Sequence, residues 1–183
     1  MYWYKPAHIR LFILYIAFII CGLYSCKPDI KDSRLKFFDL DKYFKAEAVR
    51  LSASSPVIAK SVMHNGIAES KKISIKNWES ELDLFITSNI NKPAWRESYS
   101  VVDDGSIAIY TAIKPELKTR KIMIKKEGTR VKWIMIFNHT ENLLYKSSEK
   151  LSYFPDSLYQ VYKKQQVRLL GENNYKIEGF FKR

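Results

Sequence analysis

Between residues 99 and 181 the chain alternates short apolar runs with turn signals, and few folds can absorb that pattern. Asp104-Gly105 separates residues 99–103 from 106–113, and Glu127-Gly128 separates 120–126 from 129–137. Acid-glycine pairs of this kind adopt the positive φ that tight hairpin turns need. Further strands are expected at 142–149, 159–169 and 175–181, divided by Phe154-Pro155-Asp156 and by residues 171–174. Links this short force neighbouring strands to run antiparallel, so the sheet is a meander. Upstream, His64-Asn65-Gly66 marks one more hairpin, between 57–63 and 67–75.

Two helical patterns precede and interrupt these strands. Phe37, Leu40, Phe44, Ala48 and Leu51 recur every three or four residues, which predicts an amphipathic helix ended by residues 52–56. Asn77 is a good N-cap for a second helix that carries Trp78, Leu82, Phe85, Ile86 and Ile90 on one face. The fold class is therefore α+β: a curved, mostly antiparallel meander with two amphipathic helices packed on one face. In Ile122, Ile124, Trp133, Met135 and Phe137 both alternating faces turn apolar, which implies strands covered on both sides. The second cover is the sheet curling over itself, a partner, or a ligand, and these five residues line it or line the core. A half-barrel like that of lipoprotein carrier proteins fits the order, as does a cone like the nuclear-transport-factor-2 class; fold alone does not give function.

The amino terminus reads as an address. Lys5, His8 and Arg10 precede an apolar run at 11–23, short for a membrane span and suited to a signal peptide. Leu23-Tyr24-Ser25-Cys26 then resembles a bacterial lipobox, in which the Cys thiol is acylated and the leader is removed. Residues 1–25 are expected to be the signal peptide, and 26–36 the lipidated Cys26 with a polar tether reaching at most ~35 Å. Residues 37–183 form one domain. Lys27, rather than Asp, follows Cys26, which by analogy with enteric bacteria favours the outer membrane. Of the 2 cysteines, Cys21 lies in the leader, so the mature chain has no disulfide.

Chemistry is scarce. His64 and His139 fall in expected turns, and zinc sites need three or four converging ligands. No nucleophile elbow, phosphate-cradling loop or dinucleotide fingerprint is present. Asp103-Asp104 precedes Gly105, where Asp serves the turn. No catalytic residue, metal or cofactor is assigned on these grounds.

The formal charge of +12 becomes +10 once Lys5 and Arg10 leave with the leader. Lys114, Lys118, Arg120, Lys121, Lys125, Lys126, Arg130 and Lys132 map to one hairpin, where they are expected to cluster at the tip, and Lys121, Lys125, Lys126, Arg130 and Lys132 are expected to offer an anionic-surface contact. An exported chain meets membrane phosphates sooner than nucleic acid, so no nucleic-acid partner is expected.

Trp78-Glu79-Ser80-Glu81-Leu82, Phe85 and Asn89-Ile90-Asn91-Lys92-Pro93-Ala94-Trp95, following a lipobox and a Phe-rich helix, resemble a group of bacterial envelope lipoproteins. The resemblance implies a lipid-anchored protein of the outer membrane and carries no activity or ligand. The expected role is non-enzymatic binding, of an envelope protein for instance, or envelope maintenance. A carrier of a lipid-like apolar ligand and a hydrolase using acidic residues are the alternatives.

Overall fold

Asp39 opens the first helix by accepting a hydrogen bond from the Lys42 amide, so an otherwise orphaned donor is satisfied. Helix α1 runs Leu40–Ser54 and ends where Ser55 turns left-handed at φ 42°. Its buried residues are Leu40, Phe44, Ala48 and Leu51, the stripe that the spacing predicts. The computed structural model describes residues 36–181; the leader, Cys26 and the tether up to residue 35 lie outside the described residues.

The expected second helix is broken. It forms two single turns, α2 (Trp78–Glu81) and α3 (Asp83–Ile86), because Leu82 between them leaves helical geometry at φ −96°, ψ 6°. Burial follows the apolar pattern all the same. Trp78, Leu82, Phe85 and Ile90 have no exposed surface.

Among the described residues nine strands join one open antiparallel sheet: β1 (Val57–His64), β2 (Ile67–Ser74), β3 (Tyr99–Asp103), β4 (Ile107–Ala112), β5 (Thr119–Glu127), β6 (Arg130–Glu141), β7 (Tyr145–Phe154), β8 (Leu158–Val167) and β9 (Gly171–Phe181). The spatial order is β2-β1-β9-β8-β7-β6-β5-β4-β3. Strands β3 to β9 are the predicted meander. The early hairpin attaches at the far side, with Ile58 opposite Phe181 and His64 opposite Tyr175.

Two boundaries need correction. Residues 138–141 continue β6 instead of turning, so His139 sits in a strand opposite Ser148. The turn is built by Asn142, whose Oδ1 accepts from the Leu144 and Tyr145 amides, both at 2.9 Å. Residues 171–174 likewise belong to β9, and the preceding turn falls at residues 168–170. Asp103-Asp104 does serve its turn: Asp103 accepts from the Gly105 amide and Asp104 from those of Ser106 and Ile107.

Aromatic rings join helices to sheet. Phe44 meets Tyr153 edge-on at 5.1 Å and lies tilted against Phe85 at 4.8 Å. Trp78 stacks on Phe181 at 5.7 Å and meets Tyr159 edge-on at 6.2 Å. Tyr153 and Tyr159, directly opposite each other on β7 and β8, donate their hydroxyls to Glu47 of α1 at 2.5 Å and Glu81 of α2 at 2.6 Å. Lys60 of β1 pairs with Glu81 at 2.6 Å, and Arg50 pairs with Glu47 and Asp156, each at 2.8 Å.

These tyrosines set an alkaline limit. Burial pushes the Tyr99 hydroxyl up to about 12, and burial with the Glu47 or Glu81 carboxylate nearby pushes Tyr153 and Tyr159 higher. A folded-state value above the unfolded one gives stability that is complete below about pH 10 and lost as pH rises further. Chemical denaturation midpoints should therefore hold up to about pH 10 and fall steadily above it. Absorbance of ionised tyrosine should show a group that titrates only as the protein unfolds.

Candidate functional site: the outer face of the sheet

Alternation along each strand sends every second side chain away from the helices. Register then lines these outward residues up across the sheet. One row runs Thr111, Lys121, Phe137, Lys150, Tyr162, Lys176 and Met63, each the direct cross-strand partner of the next. A neighbouring row runs Val102, Ile109, Met123, Met135 and Ser152. A third, shorter row is Ile107, Lys125 and Trp133. The result is an apolar band beside a line in which lysines and aromatic rings alternate strand by strand.

Strands lie about 4.8 Å apart, so lysines on β5, β7 and β9 repeat every ~10 Å with a ring between each pair. Trp133, Met135 and Phe137 are half-buried among these neighbours, while Lys150 and Tyr162 are exposed. The Lys150 ammonium lies 6.0 Å from the Phe137 ring centre. Lys176 pairs with Glu178 at 2.9 Å, and Glu178 accepts from Gln160 at 2.7 Å, which holds the β8–β9 end of the face in place. Lys125 bonds the Ser106 hydroxyl at the other end.

The expected apolar lining splits between the two sides of the sheet. Ile122 and Ile124 face the helices at 1% and 0% exposure inside the core, whereas Trp133, Met135 and Phe137 face outward. A groove of about 200 Å³ lies on β1 and β2, lined by Lys60, Val62, Glu69, Lys71 and Ile73; none of the five expected residues lines it.

The basic residues divide too. Lys121 and Lys125 join the outer face, but Lys126 sits over the Phe38 ring at 5.1 Å on the helix side. Strand alternation alone sends Lys126 to the side opposite Lys125; the register shift beside them falls on β6, where Lys132 is passed over between Trp133 and Val131. Arg130 lies opposite Glu127 at the hairpin tip, and Lys132 pairs with Glu127 at 2.6 Å. The expected clustering at that tip is corrected: Lys114, Lys118 and Arg120 lie at or before the opposite end of β5, which starts at Thr119. Sequence reasoning missed Ile109, Met123, Lys150, Tyr162 and Lys176. Strand alternation contained the signal, but strand register was needed to read it.

A second polar feature lies on the helix side, at the end of the core. Glu149 is 8% exposed, 3.4 Å from Lys163 and 4.0 Å from Lys118. Asn138 donates to it at 3.3 Å and to the Ser88 hydroxyl at 3.0 Å; Ser88 itself donates to the Leu84 carbonyl. Asn138 Oδ1 and Ser147 Oγ are buried without a hydrogen-bond partner. This is one carboxylate neutralised by two lysines. His139 is on the other side, bonded to Ser148 and Glu141, so no base faces a nucleophile here. His64 stacks on Tyr175 at 4.6 Å, with Nε2 at 3.2 Å from Asn173. Among the described residues no cluster of His, Cys, Asp and Glu could hold a metal ion, and no helix is long and apolar enough to cross a membrane.

Comparison with known proteins finds no matching family model, no matching curated protein and no matching solved structure.

Glu149 acts as a structural anion in this arrangement. Glu149→Ala should cost about 1–3 kcal/mol by leaving Asn138 and Lys163 without their acceptor. Glu149→Gln, which retains an acceptor for Asn138, should lose less in urea titration.

Proposed function

We propose that the protein is a lipid-anchored envelope lipoprotein of the outer membrane, attached through Cys26, that works by binding rather than catalysis. Its domain is read as an α+β half-barrel whose helix side is filled by core side chains, which leaves the outer face of the sheet for binding. The single observation that carries the reading is the row Lys121, Phe137, Lys150, Tyr162 and Lys176. Positive charges at a regular spacing with flat rings between them suit a linear polymer that carries periodic negative charge and ring-shaped units. In an envelope, an acidic polysaccharide has that chemistry: its carboxylates meet the ammonium groups and its sugar rings lie on Phe137 and Tyr162. Charge attraction of this kind weakens with salt, while ring contacts persist.

Two measurements test this. Metabolic labelling with a fatty acid should mark the wild-type chain and spare Cys26→Ala; label retained on the variant overturns the anchor. Titration of the full chain with a polyuronate at low salt should show binding that Lys150→Glu weakens about tenfold or more and Tyr162→Ala weakens less. No binding, or equal binding by Lys150→Glu, overturns the assignment of the face. Tighter binding of single-stranded DNA than of the polyuronate does so as well.

A further inference from the structure

The two ends of the sheet are built from opposite kinds of turn. In an antiparallel meander successive turns alternate between ends. The β3–β4, β5–β6 and β7–β8 turns share one end and read Asp104-Gly105-Ser106, Gly128-Thr129 and Pro155-Asp156-Ser157. These are the polar residues that turns ordinarily select.

The other end carries the β1–β2, β4–β5, β6–β7 and β8–β9 connections. The described residues with the most exposed large apolar side chains are here: Leu169 at 92%, Leu170 at 81%, Leu143 at 80% and Ile67 at 78%, with Leu144 at 70% and Ile113 at 63% beside them. The two leucine pairs sit on neighbouring turns, with Ile67 and Ile113 farther out along the same end. The Arg168 amide donates to the Leu144 carbonyl at 3.1 Å, which ties the β8–β9 turn to the β6–β7 turn, and the Asn65 amide donates to Asn174 at 2.9 Å, which ties the β1–β2 turn to β9. Neither leucine pair is explained by packing, since each remains almost wholly in water. Basic residues share this end: Lys114, Lys118, Lys146 and Arg168 are all exposed, with Lys146 pairing Glu141 at 3.0 Å and Lys118 lying 4.0 Å from Glu149.

We infer that this end of the sheet is a membrane-contact tip that dips its leucines into the interfacial layer of an anionic bilayer while its basic side chains meet lipid phosphates. Exposed aliphatic side chains ringed by Lys and Arg are the composition of interfacial anchors. Backbone at turns must keep its polar groups hydrated, so the turns reach headgroup depth and only the side chains go further. The position of the amino terminus selects a membrane over a protein partner. Lys36, the first described residue, donates to the Arg96 carbonyl at 2.7 Å and pairs with Glu97 at 2.8 Å, just ahead of β3 at this same end. A chain anchored at Cys26 arrives at Lys36 after ten residues, at most ~35 Å extended. The anchor then holds the leucine end, not the polar end, toward the bilayer. This last step rests on the proposed anchor; the leucine cluster does not.

Hydrogen exchange on the full chain, with and without vesicles of phosphatidylethanolamine and phosphatidylglycerol, tests the tip. Amides around residues 143–145 and 168–171 should exchange roughly tenfold slower with vesicles, while those at the Gly128 and Asp156 turns stay unchanged. The variant Leu143→Ser/Leu144→Ser/Leu169→Ser/Leu170→Ser should lose the slowing; because these side chains are exposed, its thermal midpoint should match the wild type. Intact mass records acylation in the same samples. An acylated chain whose tip exchanges identically with and without vesicles overturns the inference and leaves the anchor standing. An unacylated chain whose tip is still protected overturns the anchor and supports the tip. Equal protection at both ends of the sheet also overturns the inference.

Discussion

Two tyrosines fasten the helices to the sheet. Tyr153 and Tyr159 face each other across β7 and β8, near the middle of the strand order, with their rings in the core and their hydroxyls on carboxylates of two different helical segments. Each hydrogen bond reaches a charged acceptor that is itself paired, Glu47 with Arg50 and Glu81 with Lys60. A buried hydroxyl bonded to a carboxylate is worth more than a neutral pair and is costly to leave unmade. The geometry leaves no slack. A Cβ at Gly179, directly opposite Tyr159, would overlap the Tyr159 ring. The glycine is required there by the close approach of the ring rather than by its backbone angles, and the ring is fixed in turn by Trp78 and Glu81.

That fastening decides which face of the sheet is available. With α1, α2 and α3 held against one side, Ile122, Ile124, Ile134 and Ile136 are sealed into the core. The outward residues between them receive no helical cover. Met123, Met135, Trp133 and Phe137 therefore stay half-exposed even though their strands are apolar on both faces. They are shielded by cross-strand neighbours, including the stems of Lys121 and Lys150, which can lie along apolar surface while their charges stay in water.

Local chemistry predicted the strands well and the side-chain geography poorly, for identifiable reasons. Turn pairs such as Asp104-Gly105 and Glu127-Gly128 bring their own backbone preference, so the strands around them could be placed without knowledge of the fold. Asn138 misled because asparagine is a turn former by local criteria, yet its amide is consumed by Ser88 and Glu149, which are distant in sequence. Trp78 to Ile90 has the right apolar spacing for one helix; the break at Leu82 appears only once the segment meets the sheet. The Lys-aromatic row was invisible for a stricter reason. Its members come from five strands, and only the register decides that Lys121, Phe137, Lys150, Tyr162 and Lys176 share a line. The bulge beside Lys125 and Lys126 adds a further step, since the extra residue, Lys132 on β6, puts Val131 against the core although Trp133 faces outward.

The same limit applies to the ends of the sheet. Read singly, Asn142-Leu143-Leu144 and Arg168-Leu169-Leu170 are unremarkable pairs of aliphatic residues, and either pair would ordinarily be assigned to a strand. Once the meander alternates its turns, all the leucine-bearing connections fall at one end and the Asp- and Ser-bearing ones at the other. Exposed valines also occur elsewhere, Val49 on α1 at 71% and Val102 on β3 at 64%, but among the described residues every exposed leucine is at this one end. Exposed apolar surface carries a standing risk of aggregation, and the concentration of the exposed leucines at one end is the feature that the membrane-contact proposal accounts for. The sheet thus presents two distinct surfaces set by topology alone: a face that alternates charge and ring across the strands, and a tip that gathers leucine along their ends.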